Sequence, residues 1–263
     1  MNVIVCMKQV PDTETIIKIK PDGSGIVTDD IKYVMNPYCE FAVEEALRIK
    51  EKLGGQAILI TMGSARAVEA LRTGLAMGAD RSIHLSDPAF TGADGFSTAK
   101  SLAEVIKKES YDLILCGKQA VDDDMAQVGQ MLAEMLNLPH VTLITKLEIA
   151  ADKKKAKAER EVDGGKEVIE VSLPAVFTCQ KGLNEPRYAS LPGIMKAKKK
   201  EVKPINLAAL GLPGDQVGAA GSKVKILKYI APPSRPPGKI VSGEIAEAAQ
   251  KLVKLLREEA KVI

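Results

Sequence analysis

The stretch Asn2–Met7, NVIVCM, decides the fold. It is a short, unbroken apolar run, the pattern of a strand buried on both faces of a sheet. Lys8 and Pro11 end it too soon for the core of a signal peptide. Working outward, Gln56–Thr61 (QAILIT), Arg81–Leu85 and Asp112–Cys116 (DLILC) read as further strands, and His140–Thr145 as a fifth. Helical spacing separates them. Ala42, Ala46, Ile49 and Leu53 share one face between Glu40 and Leu53, and Ala99, Leu102, Ala103 and Ile106 share another within Ser97–Lys108. A helix running to about Met77 has Ser64 as its expected N-cap and Gly78 as its C-cap. A fourth is expected over Asp124–Leu136. Strands alternate with helices up to about residue 145, which predicts a doubly wound, mostly parallel sheet.

The pattern then changes. Glu159–Val162 and Lys166–Val171 alternate polar and apolar residues around Asp163-Gly164-Gly165, an antiparallel hairpin signal, and Ala175–Cys179 reads as another strand. Lys18–Val27, with Pro21, Asp22 and Gly23, reads as a hairpin-like excursion. Nine of the 14 prolines lie between Pro174 and Pro237, so that region is expected to be largely irregular, with Ala231–Pro237 a stiff linker. An amphipathic helix over Glu244–Glu258 carries Ile245, Ala248, Ala249, Leu252 and Leu256 on one stripe. The 263 residues suit an α/β domain over 1–200 and a C-terminal arm over 201–263.

Composition excludes several functions. The net charge of +3 gives no reason for duplex nucleic-acid binding, and an aromatic content of 3% with no Trp leaves little for stacking single-stranded bases. No apolar run is long enough for a membrane span. Cys6, Cys39, Cys116 and Cys179 form no CxxC pair and match no zinc spacing, so they read as buried core thiols of a reducing, cytosol-like compartment. GxGxxG, a Walker A lysine motif and GxSxG are all absent from the sequence, and His84 and His140 are the only histidines, so nucleophilic catalysis is poorly supported. No metal site is expected.

In an open α/β sheet, ligands bind where the strand order reverses, here expected between the first and fourth strands. The loops leaving those strands are Met7–Asp12 and Gly117–Val128, GKQAVDDDMAQV. Gly117 allows close backbone approach. Asp124 and Gln127 have the spacing of a capping box, and a helix N-terminus there offers free N–H groups to a phosphate. The run Asp122–Asp124 opposes a phosphate unless one residue caps the helix and the others face solvent or a ribose. Nucleotide binding and an ordinary acidic helix cap both fit this pattern. Asn36-Pro37-Tyr38-Cys39 is either a helix-entry turn or a ligand contact. Leu183–Lys200, LNEPRYASLPGIMKAKKK, is either a solvated basic run or a protruding loop whose apolar tip, Leu191–Met195, docks on partners while its lysines steer acidic surfaces.

These segments resemble the β subunit of electron-transfer flavoproteins. The resemblance spans essentially the whole chain and rests on VCMKQVPD (5–12), NPYCEFAVEEALRIKE (36–51), LAMGADR (75–81), GKQAVDDDMAQVGQ (117–130) and the 183–200 segment. It implies a heterodimer with an α subunit holding most of the FAD, and AMP as a structural ligand of the β chain. Carried over by position, the AMP site would comprise Cys6, Asn36, Pro37, Tyr38, Cys39, Met62, Gly117, Lys118, Gln119, Ala120, Val121, Asp122, Asp123, Asp124, Met125, Ala126, Gln127 and Val128. Tyr38 would also approach the flavin ring. Leu191 would anchor docking on acyl-CoA dehydrogenases, Lys196 and Lys199 match positions methylated in some members, and Glu161 matches one that steadies the mobile flavin domain. Electrons would pass on to a membrane quinone reductase, and the chain itself would not be an enzyme. The expected compartment is the cytoplasm, or the mitochondrial matrix for a eukaryotic source. Electron-bifurcating members, with a second FAD in the AMP pocket, resemble NPYD and DGDTAQVGP, whereas this chain has Cys39, Asp123 and Gln130 at three of the differing positions. Thr13 also departs from members with an aromatic there. A stand-alone ATP-binding module of similar topology is the rival reading, but it leaves the 183–200 loop and the tail without a role.

Overall fold

The computed structural model describes residues 1–235 and 237–263. Eleven strands are described: β1 Val3–Cys6, β2 Gln9–Pro11, β3 Tyr33–Met35, β4 Ala57–Met62, β5 Arg81–Leu85, β6 Leu113–Gly117, β7 His140–Ile149, β8 Lys155–Val162, β9 Gly165–Ser172, β10 Val176–Cys179 and β11 Val202–Ile205. The helices are α1 Pro37–Leu53, α2 Ala67–Met77, α3 Gly95–Ile106, α4 Val128–Met135, α5 Leu191–Ala197, α6 Leu207–Leu210, α7 Gly218–Gly221 and α8 Ile245–Lys254.

Nine strands form one sheet in the order β11-β5-β4-β1-β6-β10-β7-β8-β9, and β2 and β3 pair separately. β1 lies parallel between β4 and β6, so the order reverses between β1 and β6 as the sequence predicts. The apolar runs are continuous because helices cover both faces. Val3, Val5, Leu113 and Leu115 point into one core with α1 and α2. Ile4, Cys6, Ile114 and Cys116 point into the other with α3 and α4. Fully burying each such aliphatic side chain is worth about 1.5–3 kcal/mol.

The second half departs from simple alternation. β10 inserts between β6 and β7, parallel to both, so β7 does not neighbour the strand that precedes it in the chain. β7 runs to Ile149, past its expected end, and continues antiparallel into the β8–β9 hairpin. Cross-strand ion pairs Arg160–Glu167 (2.7 Å) and Lys155–Glu170 (2.6 Å) decorate that hairpin. The chain stays with the sheet beyond residue 200. β11 pairs with β5 and forms the opposite edge, carrying exposed Lys203 and Pro204.

Two units are distinguished, 1–18 with 27–227 and 19–26 with 228–263. In the second, Ile19 bridges Ile26 and the Tyr229 amide donates to Gly23 O at 2.9 Å. α8 ends in a wider π-turn over Leu255–Glu259, and Ile245 and Leu252 on its stripe are exposed. The expected linker 231–237 includes Pro236, which lies outside the described residues.

Two expected caps differ. α2 begins at Ala67 rather than after Ser64, and Ser64 contributes only a carbonyl accepting from the Ala67 amide at 2.9 Å. Gly78 does cap its C-terminus.

A Cβ on Gly117 would lie 2.8 Å from Tyr38 C and 2.9 Å from Cys39 N. Gly117→Ala is therefore expected to cost about 1–3 kcal/mol through forced displacement of α1 from β6. Denaturant unfolding checks it, and an unchanged midpoint would show that the approach is not tight.

Candidate functional site

The loops leaving β1 and β6 meet at the start of α1, at the point where the strand order reverses. Asn36, buried ahead of α1, makes this junction. Its Nδ2 donates to Gln119 O at 2.8 Å and lies 3.3 Å from Cys39 Sγ, while its Oδ1 accepts from the Val121 amide at 3.1 Å. Its own amide donates to Lys8 O at 2.9 Å. One side chain thus ties the 36–39 turn to the 117–128 loop. The Lys118 ammonium sits 4.7 Å from the Tyr38 ring centroid, a cation–π geometry.

The acidic run is partly compensated from the other loop. Lys8 Nζ pairs with Asp122 at 2.8 Å and Asp123 at 2.9 Å. Burial pulls the Lys8 pKa down, but these two carboxylates more than reverse it and leave it above the ordinary lysine value. Asp124 does not cap a helix. It adopts φ 50°, and its carboxylate accepts from Gln119 Nε2 at 2.6 Å. Ala126 is also left-handed, at φ 51°. The loop therefore stays non-helical to Gln127. α4 starts at Val128, four residues later than predicted, with no side-chain cap on its N-terminus. Gly129 lets that end approach β10, since a Cβ there would lie 2.6 Å from Thr178 Cγ2.

Cys6 and Cys116 are register partners on β1 and β6. A hydrogen bond with Cys6, followed by burial, raises the Cys116 thiol pKa well above its ordinary value, and burial raises that of Cys39. All four cysteines are buried and free. Burial also raises the Cys179 thiol pKa well above its ordinary value. Met62, at the end of β4, packs on the same face as Cys6. His84 is structural: it is buried, its Nε2 lies 3.1 Å from Gly63 O, and burial lowers its pKa. Among the described residues no cluster of three or more His, Cys, Asp or Glu side chains is arranged for a metal ion. Nor is any helix there long and apolar enough to cross a membrane.

The structure thus gathers Asn36, Cys39, Gly117–Val121 and the three aspartates into one cluster, with Tyr38 joined to it through the Lys118 cation–π contact. Cys6 and Met62 line the strand ends beside it. Glu161 on β8 and Leu191, Lys196 and Lys199 on α5 and just after it lie outside that cluster, and all four are exposed. The apolar tip expected as a loop is a short helix. Ser190 Oγ accepts from the Gly193 amide at 3.1 Å, and Pro192 stands in the first turn. Sequence reasoning missed Lys8 as the compensating cation, although it lies in the first switch loop. A shallow groove of about 590 Å³ elsewhere, lined by Asp12, Glu14, Ile16 and Lys32 among others, includes none of the expected nucleotide residues.

This geometry defines a doubly wound α/β protein with a loop cluster built at its topological switch point. The Electron transfer flavoprotein domain family matches residues 24–210. The chain is 44% identical to the electron transfer flavoprotein subunit beta of Thermoanaerobacterium thermosaccharolyticum, covering 97% of this chain and 98% of that one. It is 44% identical to the same subunit of Bacillus subtilis over 100% of both chains, and 43% identical to that of Homo sapiens over 100% of this chain and 99% of that one. The chain belongs to the electron transfer flavoprotein family, on the β-subunit side.

Asn36→Ala leaves Gln119 O and the Val121 amide without their partner. The expected result is a loss of about 1–2 kcal/mol in unfolding free energy and faster amide exchange across 119–124. Exchange no faster than in the parent would remove Asn36 from its role as the junction.

Proposed function

We propose that this chain is the β subunit of a heterodimeric electron carrier. It takes electrons from acyl-CoA-type dehydrogenases, passes them to a membrane quinone reductase, and performs no bond-making chemistry of its own. The observation that carries the reading is an exposed apolar tip on a basic segment: Tyr188, Leu191, Ile194 and Met195 project from a chain whose other large apolar side chains mostly pack inward. Lys196, Lys198 and Lys199 beside it are exposed and suit attraction of an acidic partner surface. The proposed compartment is the cytoplasm, or the mitochondrial matrix for a eukaryotic source.

The switch-point cluster fits AMP. The uncapped N-terminus of α4 offers its orphan N–H groups to a phosphate. Lys8 offsets part of the charge of Asp122 and Asp123 that would repel it. Asn36 holds the backbone of 119–121 in place to receive a base or ribose. Cys6, Met62 and Cys39 supply apolar walls. FAD, held mainly by an α subunit, supplies one-electron redox chemistry, and this chain's part is to complete its site through Tyr38. Glu161, exposed on the hairpin, is assigned to steadying the flavin domain, and the arm after residue 227, including α8, to packing on the α subunit.

Extraction of the co-purified heterodimer is expected to yield one FAD and one AMP. Two FAD and no AMP would overturn this assignment in favour of a bifurcating carrier, and a stable lone chain that binds ATP would overturn the heterodimer itself. Leu191→Ala is expected to slow dehydrogenase-driven reduction roughly tenfold or more at unchanged flavin content, as loss of a buried interface anchor does. Flavin loss with unchanged transfer per flavin would remove the docking role.

A further inference from the structure

The tip is held from both sides. Before it, Asn184 Nδ2 donates to Phe41 O and to Glu45 Oε2, both at 3.0 Å. Arg187 grips Glu44 of α1 three times: its amide donates to Oε2 at 3.2 Å, Nε to Oε2 at 2.8 Å and Nη2 to Oε1 at 3.0 Å. Nη1 reaches Glu51 as well. The Glu44 side chain is only 4% exposed, so it demands a paired cation. Burial alone would raise its pKa, yet Arg187, joined by Arg48 Nε donating to Oε1 at 3.0 Å, keeps it below the ordinary glutamate value. After the tip, Lys200 Nζ donates to Leu75 O at 3.0 Å and to Ala79 O, at the negative C-terminal end of α2. Arg72 Nη1 donates to Ala197 O at 2.5 Å and to Lys200 O at 2.7 Å, closing the end of α5. In between, a Cβ on Gly193 would overlap the Ala76 carbonyl, so α5 sits directly against α2.

A helix as short as α5 does not hold its shape in water unaided, and its apolar residues Leu191, Ile194 and Met195 face outward rather than into a core. Only Gly193 and Ala197 seat it against α2 and the core, so much of its order comes from the flanking grips. We infer that Arg187 and Lys200 are positioning residues that clamp the docking tip to α1 and α2, so that it meets its partner as a preformed plug. The inference rests on the docking role proposed above. It also divides the basic cluster: Lys196, Lys198 and Lys199 are free for steering or modification, while Lys200 is a structural cap. A preformed plug avoids the entropy of ordering on contact, so loosening it weakens binding without touching electron transfer once bound.

The test uses the intact heterodimer with Arg187→Gln, Lys200→Met and Leu191→Ala, so that one variant's failure to fold leaves another. Amide exchange over 188–197 is expected to accelerate in the two clamp variants. The KM for the flavoprotein in acyl-CoA dehydrogenase turnover is expected to rise roughly tenfold, with kcat and flavin content unchanged. Arg187→Lys is expected to rescue only in part, because an ammonium lacks the fork that spans Glu44 and Glu51. Amine-reactive ester labelling of the parent is expected to spare Lys200 relative to Lys196, Lys198 and Lys199. Unaccelerated exchange in both clamp variants, or equal labelling of Lys200, overturns the clamp whatever the loop docks on. Accelerated exchange with unchanged KM, while Leu191→Ala raises it, also overturns the inference, because order would then not serve docking. If Leu191→Ala leaves KM unchanged too, the docking reading fails, and exchange and labelling alone decide the clamp.

Discussion

At Gly117 the end of β6 passes so close to the first turn of α1 that no side chain fits between them. That approach lets buried Asn36 reach Gln119 O and the Val121 amide, which fixes the course of the loop after β6. The fixed loop sets its aspartates opposite Lys8, and the non-helical stretch that results delays α4 to Val128. The uncapped amide end of α4 at the switch point therefore descends from one missing methyl group and one buried carboxamide. The same helix, α1, carries Glu44, Glu45 and Glu51 on the side gripped by Asn184 and Arg187. Its N-terminus thus organises one surface and its body the other.

The parallel half of the fold was legible because burial on both faces leaves short apolar runs, and helix periodicity filled the gaps between them. The antiparallel hairpin was legible from alternation around a tight Asp-Gly-Gly turn. The insertion of β10 between β6 and β7 was not, because nothing local distinguishes a strand's neighbours, and the pairing joins residues far apart in the chain. β11 was hidden by its short length and by Pro204 within it.

At the site, the sequence located the loops but misread one device. Asp124 and Gln127 have capping-box spacing, but Asp124 is drawn to Gln119 and held at positive φ, so the cap never forms. That outcome depends on Asn36 and Lys8, which lie some hundred positions upstream, and no local pattern encodes it. The helical tip does carry a local signal: Ser190 followed by Leu191-Pro192 is a standard helix N-terminus. The grips of Arg187 and Lys200 are again long-range and stay invisible until the chain is folded.

The two ends of the large sheet have a further consequence. One ends in β9, where lysine, arginine and glutamate alternate in cross-strand pairs with β8, and the other in β11, a short strand interrupted by Pro204 beside Lys203. Charges and a proline are what keep an open strand from recruiting another backbone. Synthesis leaves any chain of this kind alone for a time before a partner arrives, and during that interval its edges are its chief hazard. Charge on one border and a proline on the other make a second copy a poorer match for either side.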